Sequence, residues 1–148
     1  MNPMLLGQHT TTISKSDQVT LPSILAGTLP KRVFITQGFD RNLLLIPDDI
    51  FETTYERIRG MNLADPKARL LLRMILGSAV ETTIGPSGDV IIPKSLCEFA
   101  SLEDTVTIIG QGSYLEIWNP GTWSKQESRI QDIEADPNRY CDINLTIG

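Results

Sequence analysis

Apolar residues fall in short runs broken by turn-forming residues, a pattern of strands and brief helices. Val33 to Ile46 and Thr105 to Trp118 each read as a β-hairpin, the first turning near Gly38 to Asn42 and the second near Gly110 to Ser113. Elsewhere the spacing becomes helical. Phe51, Tyr55 and Ile58 recur at i, i+4 and i+7, which predicts a helix capped by Asp48 after Pro47, amphipathic and running to roughly Arg59. Asp65 followed by Pro66 starts a second helix, carrying Leu70, Leu71, Met74 and Ile75 before Gly77 ends it. Asn119 with Pro120 starts a third, in which Trp123, Glu127, Ile130 and Glu134 share one half-apolar side.

The pattern occurs twice. Thr12-Ile13, Val19-Thr20-Leu21-Pro22 and Leu25 return as Thr83-Ile84, Val90-Ile91-Ile92-Pro93 and Leu96 at an offset of 71 residues. Val33-Phe34-Ile35 and Leu44-Leu45 with Pro47 return as Val106-Thr107-Ile108 and Ile117-Trp118 with Pro120 at an offset of 73. Each half is a strand, a tight turn, a second strand ending in Pro, a short helix, and a hairpin leading into a longer helix. The tight turns are Ser14 to Gln18 and Gly85 to Asp89. Short β-rich halves that cannot each bury a core are expected to interlock. The expected fold is mainly β with helices (α+β), a pseudo-twofold barrel. One domain spans residues 1–123, its repeats at about 5–60 and 77–123 joined by a helix at about 65–76, and residues 124–148 form a C-terminal helix and tail.

Composition narrows the function. With 41% hydrophobic and 21% charged residues among 148, the chain has the make-up of a folded domain, not a disordered one. No apolar run approaches the roughly 20 residues of a membrane span, and the first residues lack a basic, then apolar, secretory pattern. A cytoplasmic location is expected. Cys97 and Cys141 lack CxxC spacing and are read as unlinked thiols, with no cofactor or metal implied. A net charge of -5 and a pI near 4.8 argue against a broad basic surface. A local basic patch, or a ring repeating a few basic groups, still binds phosphate.

Catalytic readings find little support. His9, the single histidine, would have to be recruited from a strand, with no orienting acid or oxyanion site marked in the sequence. Gly110-Gln111-Gly112 lacks the third glycine and following helix of a dinucleotide loop and reads as a hairpin turn. Asp48-Asp49 suit a helix start, and Glu103-Asp104 fall in a connection. Trp118 and Trp123 suit either a subunit interface or the core.

Three segments carry a resemblance. Phe34-Ile35-Thr36-Gln37-Gly38-Phe39-Asp40-Arg41-Asn42-Leu43-Leu44-Leu45-Ile46-Pro47, the stretch Met74 through Val80 with Leu76-Gly77-Ser78-Ala79, and Leu115-Glu116-Ile117-Trp118-Asn119-Pro120 with Trp123 together resemble the MraZ family, from about Leu6 to Trp123. That resemblance implies a double-split β-barrel of the AbrB-like swapped-hairpin kind, assembled into cyclic homo-oligomers. It implies a non-enzymatic regulator of the division and cell-wall gene cluster, binding direct repeats in promoter DNA, with no membrane and no small-molecule substrate.

The family's DxxxR motif falls on both tight turns, and all four of its positions have changed. Ser14 and Gln18 replace acid and arginine in the first; Gly85 and Asp89 replace them in the second. Arginine offers a fork of donors to phosphate, whereas glutamine is neutral and aspartate repels phosphate. If the motif's acid and arginine instead brace the turn by pairing, the fold survives their joint loss. The candidate DNA contacts are Ser14, Lys15, Ser16 and Gln18, with Lys31 and Arg32 as further basic groups near the first turn. The alternative is a divergent ring-forming interaction protein with weakened or lost DNA binding, partnering a protein or mixing with another family member.

Overall fold

The computed structural model describes residues 4–139 and 143. In chain order these form β1 (Gln8–Thr12), β2 (Gln18–Thr20), α1 (Ser23–Ala26), β3 (Arg32–Gln37), β4 (Leu43–Pro47), α2 (Asp48–Ile58) and α3 (Pro66–Ile75). There follow β5 (Val80–Thr83), β6 (Asp89–Ile91), α4 (Lys94–Phe99), β7 (Thr105–Gly110), β8 (Leu115–Trp118) and α5 (Pro120–Glu134). The fold mixes α and β, and its strands pair antiparallel throughout the described residues.

Local chemistry explains most element ends. The Asp65 carboxylate accepts from the Lys67 N–H at 2.9 Å, and Pro66 fills the first helical position of α3. Asn119 does the same for α5, accepting from the N–H groups of Gly121 at 2.7 Å and Thr122 at 3.2 Å. The start of α2 differs from expectation: Pro47 precedes it with no side-chain cap, and Asp48 is its first residue. Pro47 closes β4 directly into the helix, so Asp48 and Asp49 serve by placing negative charge at the positive end of the backbone dipole.

The sheet shows how the halves combine. Six strands run in the order β1-β7-β8-β4-β3-β5, and β2 pairs with β6 in a separate ribbon. Exchanging the two repeats turns β1 into β5, β7 into β3 and β8 into β4, so the order reads the same from either end. The registers obey the same symmetry. Val19 faces Val90 at the centre of the ribbon, while Leu43 faces Ile117 and Leu45 faces Leu115. Each half also lends a strand to the other, β1 onto β7 and β5 onto β3.

Alternation along the strands separates two apolar layers. Val33, Ile35, Leu43, Leu45, Val106, Ile108, Leu115 and Ile117 face the ribbon and short helices, where Val19, Leu21, Leu25, Val90, Ile92 and Leu96 complete one core. Thr36, Leu44, Ile46, Thr107, Ile109 and Trp118 are buried on the other side, where α2 and α3 lie against β3 and α5 against β7. Phe34 stacks on Phe51 with ring centroids 4.1 Å apart. Trp118 meets Trp123 edge-on at 5.3 Å, so both rings pack within the chain.

Not every apolar residue of α3 is buried. Leu70 is 63% exposed, whereas Ala68 and Ile75 of α3 are buried. Two residues beyond Ala68 is more than half a helical turn, which puts Leu70 on the opposite face. Among the described residues no helix is long and apolar enough to cross a membrane.

Candidate nucleic-acid interface

The two tight turns have the same backbone shape, built with different side chains. In the first, the Ser14 N–H donates to the Gln18 carbonyl at 2.9 Å and the Asp17 N–H to the Ser14 carbonyl at 3.0 Å. In the second, the Gly85 N–H donates to the Asp89 carbonyl at 2.8 Å and the Gly88 N–H to the Gly85 carbonyl at 3.0 Å. Asp17 and Gly88 occupy equivalent left-handed positions, with φ of 61° and 82°.

Inside the first turn the Ser14 hydroxyl oxygen accepts from the N–H groups of Ser16 at 3.2 Å and Gln18 at 3.1 Å. It does the work of an aspartate at that position with one oxygen fewer. The second turn is filled from its far end, where the Asp89 carboxylate folds back over Gly85. A Cβ at Gly85 would stand 2.5 Å from Asp89 Oδ1, so the folded-back position of this carboxylate fits only beside a residue without a side chain. The Ser87 hydroxyl donates to the same oxygen at 2.7 Å, and this hydrogen bond holds the Asp89 carboxyl below its ordinary pKa.

Each turn is anchored on the other half of the chain. The Ile92 N–H donates to the Asp17 carbonyl at 2.9 Å, which sets the first turn beside the start of α4. The Leu21 N–H donates to the Gly88 carbonyl at 2.9 Å, which sets the second beside α1. Ser14, Lys15 and Ser16 are exposed and Gln18 is half-buried.

The exchanged strands relocate two candidates. Lys31 and Arg32 lie beside β5 and the second turn, not beside the first as expected. The Ile84 N–H donates to the Lys31 carbonyl at 2.8 Å, Arg32 is registered against Thr83, and Lys31 lines a groove with Ser23 and Gly85 to Gly88. The equivalent position beside the first turn is acidic: the Ile13 N–H donates to the Asp104 carbonyl at 3.0 Å.

Arg32 is also engaged within the chain. Its Nε donates to Glu81, its Nη1 lies 3.9 Å from Asp48 and 3.6 Å from Glu52, and its guanidinium sits 5.1 Å from the Phe34 ring centre. The hydrogen bond to Glu81, with the three carboxylate charges, raises its pKa further. A cation so surrounded offers little field to a phosphate. Lys94, exposed two residues after Ile92, joins Lys15 on the first-turn side. Its only signal in the sequence is its place one residue after the repeated proline, where the first half has Ser23.

Other reactive groups do not converge. His9 is half-buried on β1 with Nε2 3.1 Å from the Leu6 carbonyl. Cys97 is buried on α4, and burial pushes its thiol up to about 11. Cys141 lies outside the described residues. Among the described residues no group of three or more His, Cys, Asp or Glu is placed to hold a metal ion.

The family model described as "MraZ protein, putative antitoxin-like" matches residues 75–143. The protein named Transcriptional regulator MraZ from Roseiflexus castenholzii is 32% identical over 120 residues, covering 81% of this chain and 84% of that one. This chain belongs to the MraZ family. Other relatives bearing the name Transcriptional regulator MraZ include that of Thermomicrobium roseum, 30% identical over 123 residues with 83% and 87% covered, and that of Bifidobacterium longum, 30% identical over 138 residues with 90% and 92% covered. Among solved structures, the solution structure of PHS018 from Pyrococcus horikoshii aligns at 13% identity and a TM-score of 0.35, covering 74% of this chain and 94% of that one, and carries no argument. The two turns at residues 14–18 and 85–89 thus share one backbone shape and differ in their side chains.

Proposed function

We propose that this MraZ chain is a non-enzymatic, DNA-binding transcription regulator, working as a ring of identical subunits on direct repeats in promoter DNA of the division and cell-wall gene cluster. The observation that carries the reading is the pair of matching turns at residues 14–18 and 85–89, the positions to which the resemblance assigns the family's charged motif. Both are closed by backbone hydrogen bonds, and the first projects Ser14, Lys15 and Ser16 into solvent. The names of the relatives support a regulatory role.

In this reading the interlocked repeats form one double-split β-barrel of the swapped-hairpin kind over residues 1–123, with the remainder as an appended helix and tail. Backbone and hydroxyl donors of the first turn, with Lys15 beside them, meet the phosphates. Lys31 contributes from the second turn, while Arg32 stays with its carboxylates. Each contact is weak, and the ring makes them additive by holding many at once. The protein acts in the cytoplasm on the nucleoid.

A second reading rests on Asp89. A carboxylate held ionised in the second turn opposes phosphate there, which fits a ring that has exchanged DNA for a protein partner or that mixes with another MraZ chain. Mobility shifts on the promoter upstream of the protein's own gene, at two salt concentrations, separate the readings. Tight, salt-sensitive binding to repeated boxes is the expected result, and no binding at low salt refutes it.

A further inference from the structure

The outer helices lie toward opposite ends of the six-stranded sheet. α3 packs on β3 and α5 on β7, each strand next to an edge but at opposite sides. Each helix presents an uncovered row. On α3, Lys67, Leu70 and Arg73 follow at i, i+3 and i+6, all exposed, with Leu70 at 63%. On α5, Glu127, Ile130 and Glu134 follow at i, i+3 and i+7, all exposed, with Ile130 at 46% and Ile133 beside it at 44%.

The rows are complementary in charge and length. One apolar residue is flanked by two cations on α3 and by two carboxylates on α5. At a rise of about 1.5 Å per residue the rows span about 9 and about 10.5 Å. None of the four charged side chains takes part in an ion pair among the described residues. Arg129 and Asp132 fall outside the α5 row by helical periodicity.

We propose that a second copy of this chain occupies the α3 row with its α5, in a head-to-tail contact that repeats from subunit to subunit. A symmetric contact of α3 on α3, or α5 on α5, would set like charges against each other, so the complementary pairing is the favoured one. Because the two rows are different surfaces at opposite sides of the body, each subunit offers one of each to its neighbours, and a repeated contact of this kind closes a ring or grows a filament. This inference rests on the ring reading above and names the surfaces that would build it.

Light scattering after size exclusion, on the full chain at fixed concentration, tests it. The wild type is expected to contain several subunits. Lys67→Glu with Arg73→Glu, and Glu127→Lys with Glu134→Lys, are each expected to give monomers. Their equimolar mixture should regain assembly beyond two subunits, because the acidic α3 of the first meets the basic α5 of the second while the basic α3 of the second meets the acidic α5 of the first. A chain carrying all four changes should regain the wild-type number. Circular dichroism confirms that the variants are folded. A wild-type monomer refutes the ring itself. A wild-type assembly that either reversed pair leaves unchanged, or a mixture of the folded variants that stays monomeric, overturns this contact alone.

Discussion

Trimming Val19 to alanine should cost about 2 to 3 kcal/mol, and trimming Val90 should cost nearly the same. The two side chains face each other at the centre of the β2 and β6 ribbon and are 0% and 1% exposed. Each substitution removes two buried methyl groups, about 1.6 kcal/mol at roughly 0.8 per group. The gap left between interlocked halves, which cannot collapse freely, adds the remainder at about 24 cal/mol per Å³. For a chain of this length the melting temperature should fall by about 5 to 10 °C. The double variant should cost less than the sum, because the second side chain is removed from beside an existing void. Urea unfolding followed by tryptophan fluorescence, at one protein concentration so that self-association does not shift the comparison, measures all three. A loss under about 0.5 kcal/mol for Val19→Ala, or a difference above about 1 kcal/mol between the single variants, would refute an axis through the ribbon.

Three further outcomes follow from the turns. Ser14→Ala should lose about 0.5 to 1 kcal/mol, since two N–H groups lose their acceptor but keep access to water, and Ser14→Asp should restore it in thermal melts. In DNA titrations across salt concentrations, Lys15→Glu should weaken binding and lower the log-log slope by about one per engaged subunit, while Arg32→Ala leaves the slope unchanged because its guanidinium already belongs to Glu81, Asp48 and Glu52. Asp89 has a depressed pKa when folded, so its contribution is present above the ordinary aspartate value of about 3.9 and is lost as pH falls through its lower folded value. Asp89→Asn should therefore flatten the acid limb of melting temperature against pH between about 5 and 2, and an unaltered limb would refute the Ser87 contact.

Local signals carried most of the architecture. The hairpins, the tight turns and the starts of α3 and α5 are written in glycine, proline, aspartate and asparagine at fixed offsets, and the duplication is visible because buried valine, isoleucine and leucine recur with it. What periodicity could not supply was the partner of each strand. β1 pairs with β7 almost a hundred residues away and not with its neighbour β2, and this exchange carries Lys31 and Arg32 to the opposite turn. Likewise the three carboxylates around Arg32 come from β5 and α2, brought together by the pairing of β3 with β5 and β4. The loss of both motif pairs left open in the sequence what braces the turns. Ser14 and Asp89 replace the missing carboxylate by different routes, and the second of these depends on Gly85 having no side chain. Leu70 points outward because the six apolar residues Ala68, Leu70, Leu71, Leu72, Met74 and Ile75 of this ten-residue helix span more than one face.

The interlocked repeats amount to a dimer welded into one polypeptide. An assembly of two identical chains must carry every substitution on both sides at once and falls apart on dilution. A tandem copy escapes both constraints: its partners never separate, and each is free to drift alone. The serine cradle in one turn and the folded-back aspartate in the other use that freedom, and they give an almost symmetric body two unlike ends.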